Sequence, residues 1–171
     1  ICSLKWYKGV NEFVELATVL NFYRFRLVLN ASEKEIASFF KDQTLPQNLE
    51  IFPVQTNVHP HFQWADLVLN LSRPDGWVET FGLTVLEAMA YHLPVIVPPV
   101  GGIAELVENG KNGYKIDSRN PVALSRTTVE ILQDNTLYES LQDHAVLKVK
   151  NFTEENFVRQ SLEILMPKSR E

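Results

Sequence analysis

Glu79 and Glu87 stand eight residues apart and bracket Thr80-Phe81-Gly82-Leu83-Thr84, the stretch of this chain best suited to grip a charged, hydroxyl-rich ligand. From Leu83 through Val85, Leu86, Ala88, Met89 and Ala90 the neighbours of Glu87 are almost all apolar, and Glu87 is the sole charged residue between Phe81 and Tyr91. A helix apolar nearly all round is a buried helix, so the pattern predicts a carboxylate carried into an oily setting. Leaving such a group without a partner costs on the order of several kcal/mol. The two hydroxyls of a ribose would satisfy both of its oxygens. A place at the solvent edge, or an ion pair with a distant arginine, would do so too.

Glu79 precedes the expected helix or opens it. The loop before it, Ser72 to Val78, holds Pro74 and Gly76 and follows an apolar strand. Glu79, Thr80, Phe81 and Gly82 therefore fall where a strand end meets a helix N-terminus. Free N–H groups and the positive end of the helix dipole point outward there, a setting suited to a pyrophosphate. Gly82 permits close backbone approach. Glu79 would also serve simply to complement the dipole. Gly101-Gly102, after Pro98-Pro99, is a second candidate phosphate turn, and Glu105 beside it suits either a ligand hydroxyl or its own helix. Lys8-Gly9 occupies another strand-to-helix junction, where an ammonium can neutralise phosphate. His59 and His61 flank Pro60 and read as surface residues.

The elements that must place these groups alternate in period. Strands are expected at Ile1–Leu4, Phe25–Leu29, Leu49–Phe52, Ala65–Leu71, Pro94–Val97 and Gly113–Ile116. Helices are expected at Asn11–Leu20, from Ser32 with its capping partner Glu35 to about Asp42, at His59–Trp64, Phe81–Tyr91 and Ile103–Glu108. Three more close the chain: Asn120 to about Asp134, Thr136–Lys150 and Thr153–Met166. This order implies an α/β fold, a Rossmann-like parallel sheet flanked by helices, with ligands at the carboxyl ends of the strands. The closing helices form either a lid on the sheet or an arm.

The chain has 171 residues, enough for one domain, with 45% apolar and 22% charged residues. No apolar run approaches the ~20 residues of a membrane span. The net charge of −5 argues against nucleic acid as a partner. A single cysteine, Cys2, fits a reducing compartment, so a cytoplasmic location is expected. The start lacks both methionine and a signal peptide, and its first segment already reads as a strand, as expected for a piece of a longer chain.

In order and spacing, Glu79-Thr80-Phe81-Gly82-Leu83, Glu87-Ala88-Met89-Ala90, Pro94-Val95-Ile96 and Gly101-Gly102-Ile103-Ala104-Glu105 resemble the signature of the retaining glycosyltransferases of family four, in their C-terminal, donor-binding half. Gly110 and Gly113 match its closing turn. The resemblance implies half of a GT-B fold over residues 1–171, with 153–171 a C-terminal helix directed toward an N-terminal acceptor domain. Any membrane association would belong to that other domain. It implies that Glu79 sits beside the donor sugar and that Lys8 contacts the diphosphate, these two being the catalytic residues. Backbone groups of Phe81, Gly82, Leu83 and Thr84, with Thr80, would hold sugar and phosphate. Glu87 would take the ribose hydroxyls, and the loop from Pro53 to Val58, including Val54, would wrap the base. The sequence departs from the family at Ser3, where an arginine is usual and for which Lys5 is the nearby substitute. It departs again at Asn30-Ala31-Ser32, which replaces a glycine-rich turn. No Asp-x-Asp pair occurs, so a metal-independent reaction without cofactors is expected. Half of a sugar-nucleotide epimerase and a non-catalytic nucleotide-sugar-binding module are the competing readings.

Overall fold

Strand and helix alternate through residues 1–166, which the computed structural model describes. The strands are β1 (Cys2–Ser3), β2 (Phe25–Asn30), β3 (Leu49–Phe52), β4 (Val68–Leu69), β5 (Val95–Val97) and β6 (Gly113–Lys115). The helices are α1 (Val10–Val19), α2 (Glu33–Phe39), α3 (His59–Trp64), α4 (Leu83–Ala90), α5 (Gly102–Glu105), α6 (Pro121–Gln133), α7 (Asn135–Val149) and α8 (Glu154–Leu165). Their starts carry the expected caps. Ser32 and Glu35 form a full capping box at α2, Asn120 accepts from Ala123 N–H ahead of Pro121, and Thr153 accepts from Asn156 N–H.

All ladders are parallel, as expected, but they form two three-stranded sheets, β1-β2-β3 and β4-β5-β6, rather than one. The reason lies in the edge strands β1 and β4. β1 and β4 each pair through only two residues, shorter than the apolar runs Ile1–Leu4 and Ala65–Leu71 suggested. The half-sheets touch at their carboxyl ends. There Arg73 N–H donates to the Tyr7 carbonyl at 2.7 Å. Gly9, at φ +73, lies so close to Leu71 that a Cβ would collide with its carbonyl oxygen.

β5 shows what the sheet demands of a central strand. Val95 and Val97 pack with Val85, Met89, Ile103 and Val107 on one face, while Ile96 packs with Leu124, Ile131 and Leu141 on the other. Both faces are covered by helices, as parallel strands require. The closing helices divide between the two roles expected for them: α6 and α7 bury Leu124, Ile131, Leu141 and Ala145 against the sheet, whereas α8 buries none of its residues. Of the expected C-terminal stretch 153–171, residues 167–171 lie outside the described residues. No described helix is long and apolar enough to cross a membrane.

Candidate active site

Lys8 ends a 3-10 turn, Trp6–Lys8, that leads from β1 into α1, and Glu79 lies in the loop between β4 and α4, three residues before the N-cap Gly82. The structure brings them together: Lys8 Nζ donates to Glu79 Oε2 at 2.5 Å, with the two side chains 17% and 19% exposed. The pair sits at the carboxyl ends of β1 and β4, where the half-sheets meet. Thr80 and Phe81 follow as exposed residues, and Gly82 is the N-cap of α4. The helix thus begins at Leu83, two residues later than expected, because Gly82 takes a left-handed turn.

Gly101-Gly102, the second candidate phosphate turn, packs closely against the Glu79 loop. A Cβ on Gly102 would overlap the carbonyl oxygen of Thr80. The turn from β5 into α5 therefore packs backbone to backbone against Glu79-Thr80 and fixes the loop from behind. Glu105 is exposed, and its carbonyl, not its carboxylate, is engaged, by Lys148 Nζ at 3.2 Å.

Glu87 is half-buried, not enclosed. The expectation of a helix apolar on every side fails for a geometric reason. Val85, Leu86, Ala88 and Met89 turn inward, while Leu83, Glu87 and Ala90 share the outward stripe at helical spacing, with Leu83 61% exposed. Among the described residues no hydrogen bond or ion pair engages the Glu87 carboxylate. It lies one turn, about 6 Å of helix rise, beyond Leu83, on the stripe that starts at the Glu79 loop.

Val54 lies in the exposed loop at the carboxyl end of β3, anchored by its N–H to the Ala31 carbonyl at 3.0 Å. Lys5 is exposed, and its charge adds to the hydrogen bonds from Ser32 that lower the Glu35 pKa. His59 meets the Tyr91 hydroxyl through Nδ1. His61 departs from the surface reading: its Nδ1 is buried with no hydrogen-bond partner among the described residues, its ring meets Phe52 edge-on, and burial pushes its pKa below the usual histidine value.

Arg73 is the residue that sequence reasoning missed. Its guanidinium pairs with Glu12 on α1 at 2.9 Å and with Asp75 at 2.8 Å, and the Trp6 ring lies over it at 5.2 Å. The hydrogen bond from Arg73 holds the Asp75 carboxyl below the ordinary range. One side chain therefore ties the turn that bears Lys8 to the loop that bears Glu79. Arg73-Pro74-Asp75 reads locally as a turn, and nothing near it in sequence announces Glu12.

An ammonium, a carboxylate and a helix start converge at the carboxyl edge of a parallel α/β domain, an arrangement suited to an anionic, hydroxyl-bearing ligand. The family model described as glycosyl transferases group 1 matches residues 1–147, and the chain belongs to that family. It is 34% identical over 107 residues to N-acetyl-alpha-D-glucosaminyl L-malate synthase of Bacillus anthracis, covering 62% of this chain and 27% of that protein. It is 43% identical over 65 residues to a sucrose synthase of Melioribacter roseus, covering 38% and 8%. The fold matches a glycosyltransferase of Rickettsia africae with a TM-score of 0.79 at 22% identity, over 95% of this chain and 46% of that one. It matches HepE of Anabaena in complex with UDP with a TM-score of 0.80 at 21% identity, over 96% and 48%. The chain thus spans less than half the length of these relatives.

Proposed function

We propose that this chain is the donor-binding half of a glycosyltransferase that moves a sugar from a nucleoside diphosphate to a hydroxyl acceptor, with retention of configuration. The observation that carries the reading is the Lys8–Glu79 pair, 2.5 Å across, beside the N-terminus of α4. The relatives supply the substrate class, through UDP in the HepE complex and the transferred sugars in the names of the synthases.

As the glycosidic bond breaks, its electron pair passes to the departing diphosphate. Lys8 and the amides opening α4 stabilise that charge. Glu79 orients the sugar hydroxyls while positive charge grows on the ring, Glu87 accepts from the ribose hydroxyls, and the Val54 loop covers the base. The acceptor belongs to an N-terminal domain of the same polypeptide, and the reaction is metal-independent and cytoplasmic. Calorimetric titration of the chain with UDP, GDP and ADP, their glucose conjugates and NAD tests this. One nucleotide series binds, with the same affinity in EDTA as in magnesium. Binding of NAD alone, or of none of them, refutes the reading.

A further inference from the structure

Three aromatic rings flank the Lys8–Glu79 pair, and the donor contacts leave them unused. Tyr7 directly precedes Lys8, with Trp6 before it, and Trp77 lies two residues before Glu79. Two residues of chain span at most about 7 Å, so the rings begin within reach of the pair. Tyr7 and Trp77 stack with their centroids 6.1 Å apart and their planes at 28°, while Trp6 meets Tyr7 edge-on at 5.8 Å. Packing on one another does not hide them: Trp6 stays 49% exposed and Trp77 50%.

The cluster is held from beneath. The Arg73 guanidinium lies 5.2 Å from the centre of the Trp6 ring, the Arg73 N–H donates to the Tyr7 carbonyl at 2.7 Å, and the Arg73 carbonyl accepts from Trp77 N–H at 2.9 Å. Gly76 packs so closely that a Cβ there would collide with the Trp6 ring and the Tyr7 Cβ. Rings fixed in this way lose little freedom when a ligand settles on them. Charged groups edge the cluster: Asp75 pairs with Arg73 at 2.8 Å and lies 3.8 Å from Arg119, and the Asp75 and Arg119 side chains both reach solvent.

Its position separates it from the donor. Helices α1 and α4 cover opposite faces of the sheet: Leu16 and Ala17 of α1 pack with Ile96, whereas Val85 and Met89 of α4 pack with Val95 and Val97. The start of α4 and Glu87, proposed for the donor, lie on the α4 side. Arg73, beneath Trp6, is tied at 2.9 Å to Glu12 of α1, so the rings lie on the α1 side, with Lys8 and Glu79 between. The chemistry of the rings selects the occupant. A pyranose presents a flat face of C–H groups and a rim of hydroxyls. Its C–H hydrogens are drawn to the negative face of an aromatic ring, and its hydroxyls can bond to exposed carboxylate and guanidinium groups. A lipid tail gains nothing from that charged edge.

We propose that Trp6, Tyr7 and Trp77 form a platform on which a pyranose ring of the acceptor stacks, which makes the acceptor a glycan or glycoside. A ring seated there brings a hydroxyl toward the sugar beside Glu79 from the side that the diphosphate does not occupy. Its role as an acceptor site rests on the donor role proposed for Lys8 and Glu79.

The test follows the indole N–H signals of the chain by NMR, assigned with Trp6→Phe, Trp64→Phe and Trp77→Phe. The probes are cellotriose, maltotriose, chitotriose and mannotriose, with sorbitol and phosphatidylglycerol vesicles beside them. At least one trisaccharide shifts the Trp6 and Trp77 signals in the millimolar range and leaves Trp64 unmoved, with or without saturating UDP, and sorbitol shifts neither. Trp77→Ala weakens that trisaccharide about 10-fold and leaves UDP affinity unchanged, while Trp77→Phe retains most of the sugar binding. The platform is overturned if no trisaccharide moves the two signals, if UDP displaces the trisaccharide, or if only vesicles move them. A shift with protein concentration before any sugar is added overturns it too, since a second copy would then cover the rings. UDP binding reads the donor proposal separately. UDP bound while every trisaccharide leaves the rings unmoved sinks the platform alone; a trisaccharide on the rings of a chain that binds no nucleotide keeps the sugar site and removes its role as an acceptor site.

Discussion

Lys8 and Glu79 are 71 residues apart in sequence and 2.5 Å apart in space, and each holds the other's charge where water has little access. On the proposed function, such a pair binds a donor only by opening or sharing its bond: the diphosphate would compete with Glu79 for the ammonium, and the sugar hydroxyls would compete with Lys8 for the carboxylate.

That competition gives opposite signs for the two substitutions. Lys8→Met removes a charge-assisted contact and weakens UDP binding about 10-fold or more. Glu79→Gln frees Lys8, so UDP binds as well or better while UDP-sugar binds worse. For folding, either change alone costs about 1–3 kcal/mol, because the remaining charge stays poorly hydrated; the double variant costs less than the sum. Calorimetry and urea denaturation read both. A parallel loss of UDP affinity in the two single variants would remove Glu79 as a competitor.

Glu87 offers a test that separates a ribose contact from a general electrostatic one. If its carboxylate accepts from the ribose hydroxyls, the chain prefers UDP over 2′-deoxy-UDP by roughly 10-fold or more, and Glu87→Gln collapses that preference. A carboxylate acting only through its charge would repel both diphosphates alike. Its removal would then tighten both and leave their ratio unchanged, which is the result that would displace the ribose role.

Local chemistry was legible in the sequence. Ser32 with Glu35, Asn120 with Pro121 and Thr153 each mark a helix start within the short range where caps act, and the structure uses all three. Long-range geometry was not. Ala65–Leu71 reads as a buried strand because it is mostly apolar, but a ladder needs a neighbouring strand, and only Val68 and Leu69 have ladder partners, on β5. Glu87 reads as enclosed from composition alone, yet the 3.6-residue period places it with Leu83 on the outward stripe. The Arg73–Glu12 tie crosses 61 residues and the five elements from β2 to β4, so no local pattern carries it.

Gly102 tests whether the Glu79 loop must be held from behind. A methyl group there would overlap the Thr80 carbonyl, so either the loop or the start of α5 must move. Gly102→Ala therefore costs about 1–3 kcal/mol of stability and lowers affinity for the sugar-nucleotide more than for the nucleotide, because Glu79 and Thr80 are displaced together. Gly110→Ala, where the nearest side-chain atom to a new Cβ is the Tyr114 hydroxyl at 3.8 Å, has the space but carries a positive-φ penalty that Gly102→Ala does not. It is the control: a stability loss without a change in ligand preference. Matching ligand preferences in the two variants would show that the loop does not depend on Gly102.

His61 gives the fold a pH dependence with a definite sign. Burial, reinforced by the positive charge of Arg26, lowers its pKa in the folded state, while in the unfolded chain it titrates near the ordinary histidine value of about 6.5. Between those two values the unfolded state binds more protons, so stability rises with pH and falls as pH drops. The loss begins as pH falls through about 6.5 and levels off below the folded pKa. The arginine-paired carboxylates Glu50, Asp75 and Asp117 have pKa values lowered in the folded state, so their contributions are lost only in more acidic solution, below about pH 4. The two windows separate. Melting temperatures at pH 7.5, 6.0 and 5.0 should fall together with pH in the native chain and fall less in His61→Gln, which carries no titrating ring. An identical slope in both proteins would place the titrating group elsewhere.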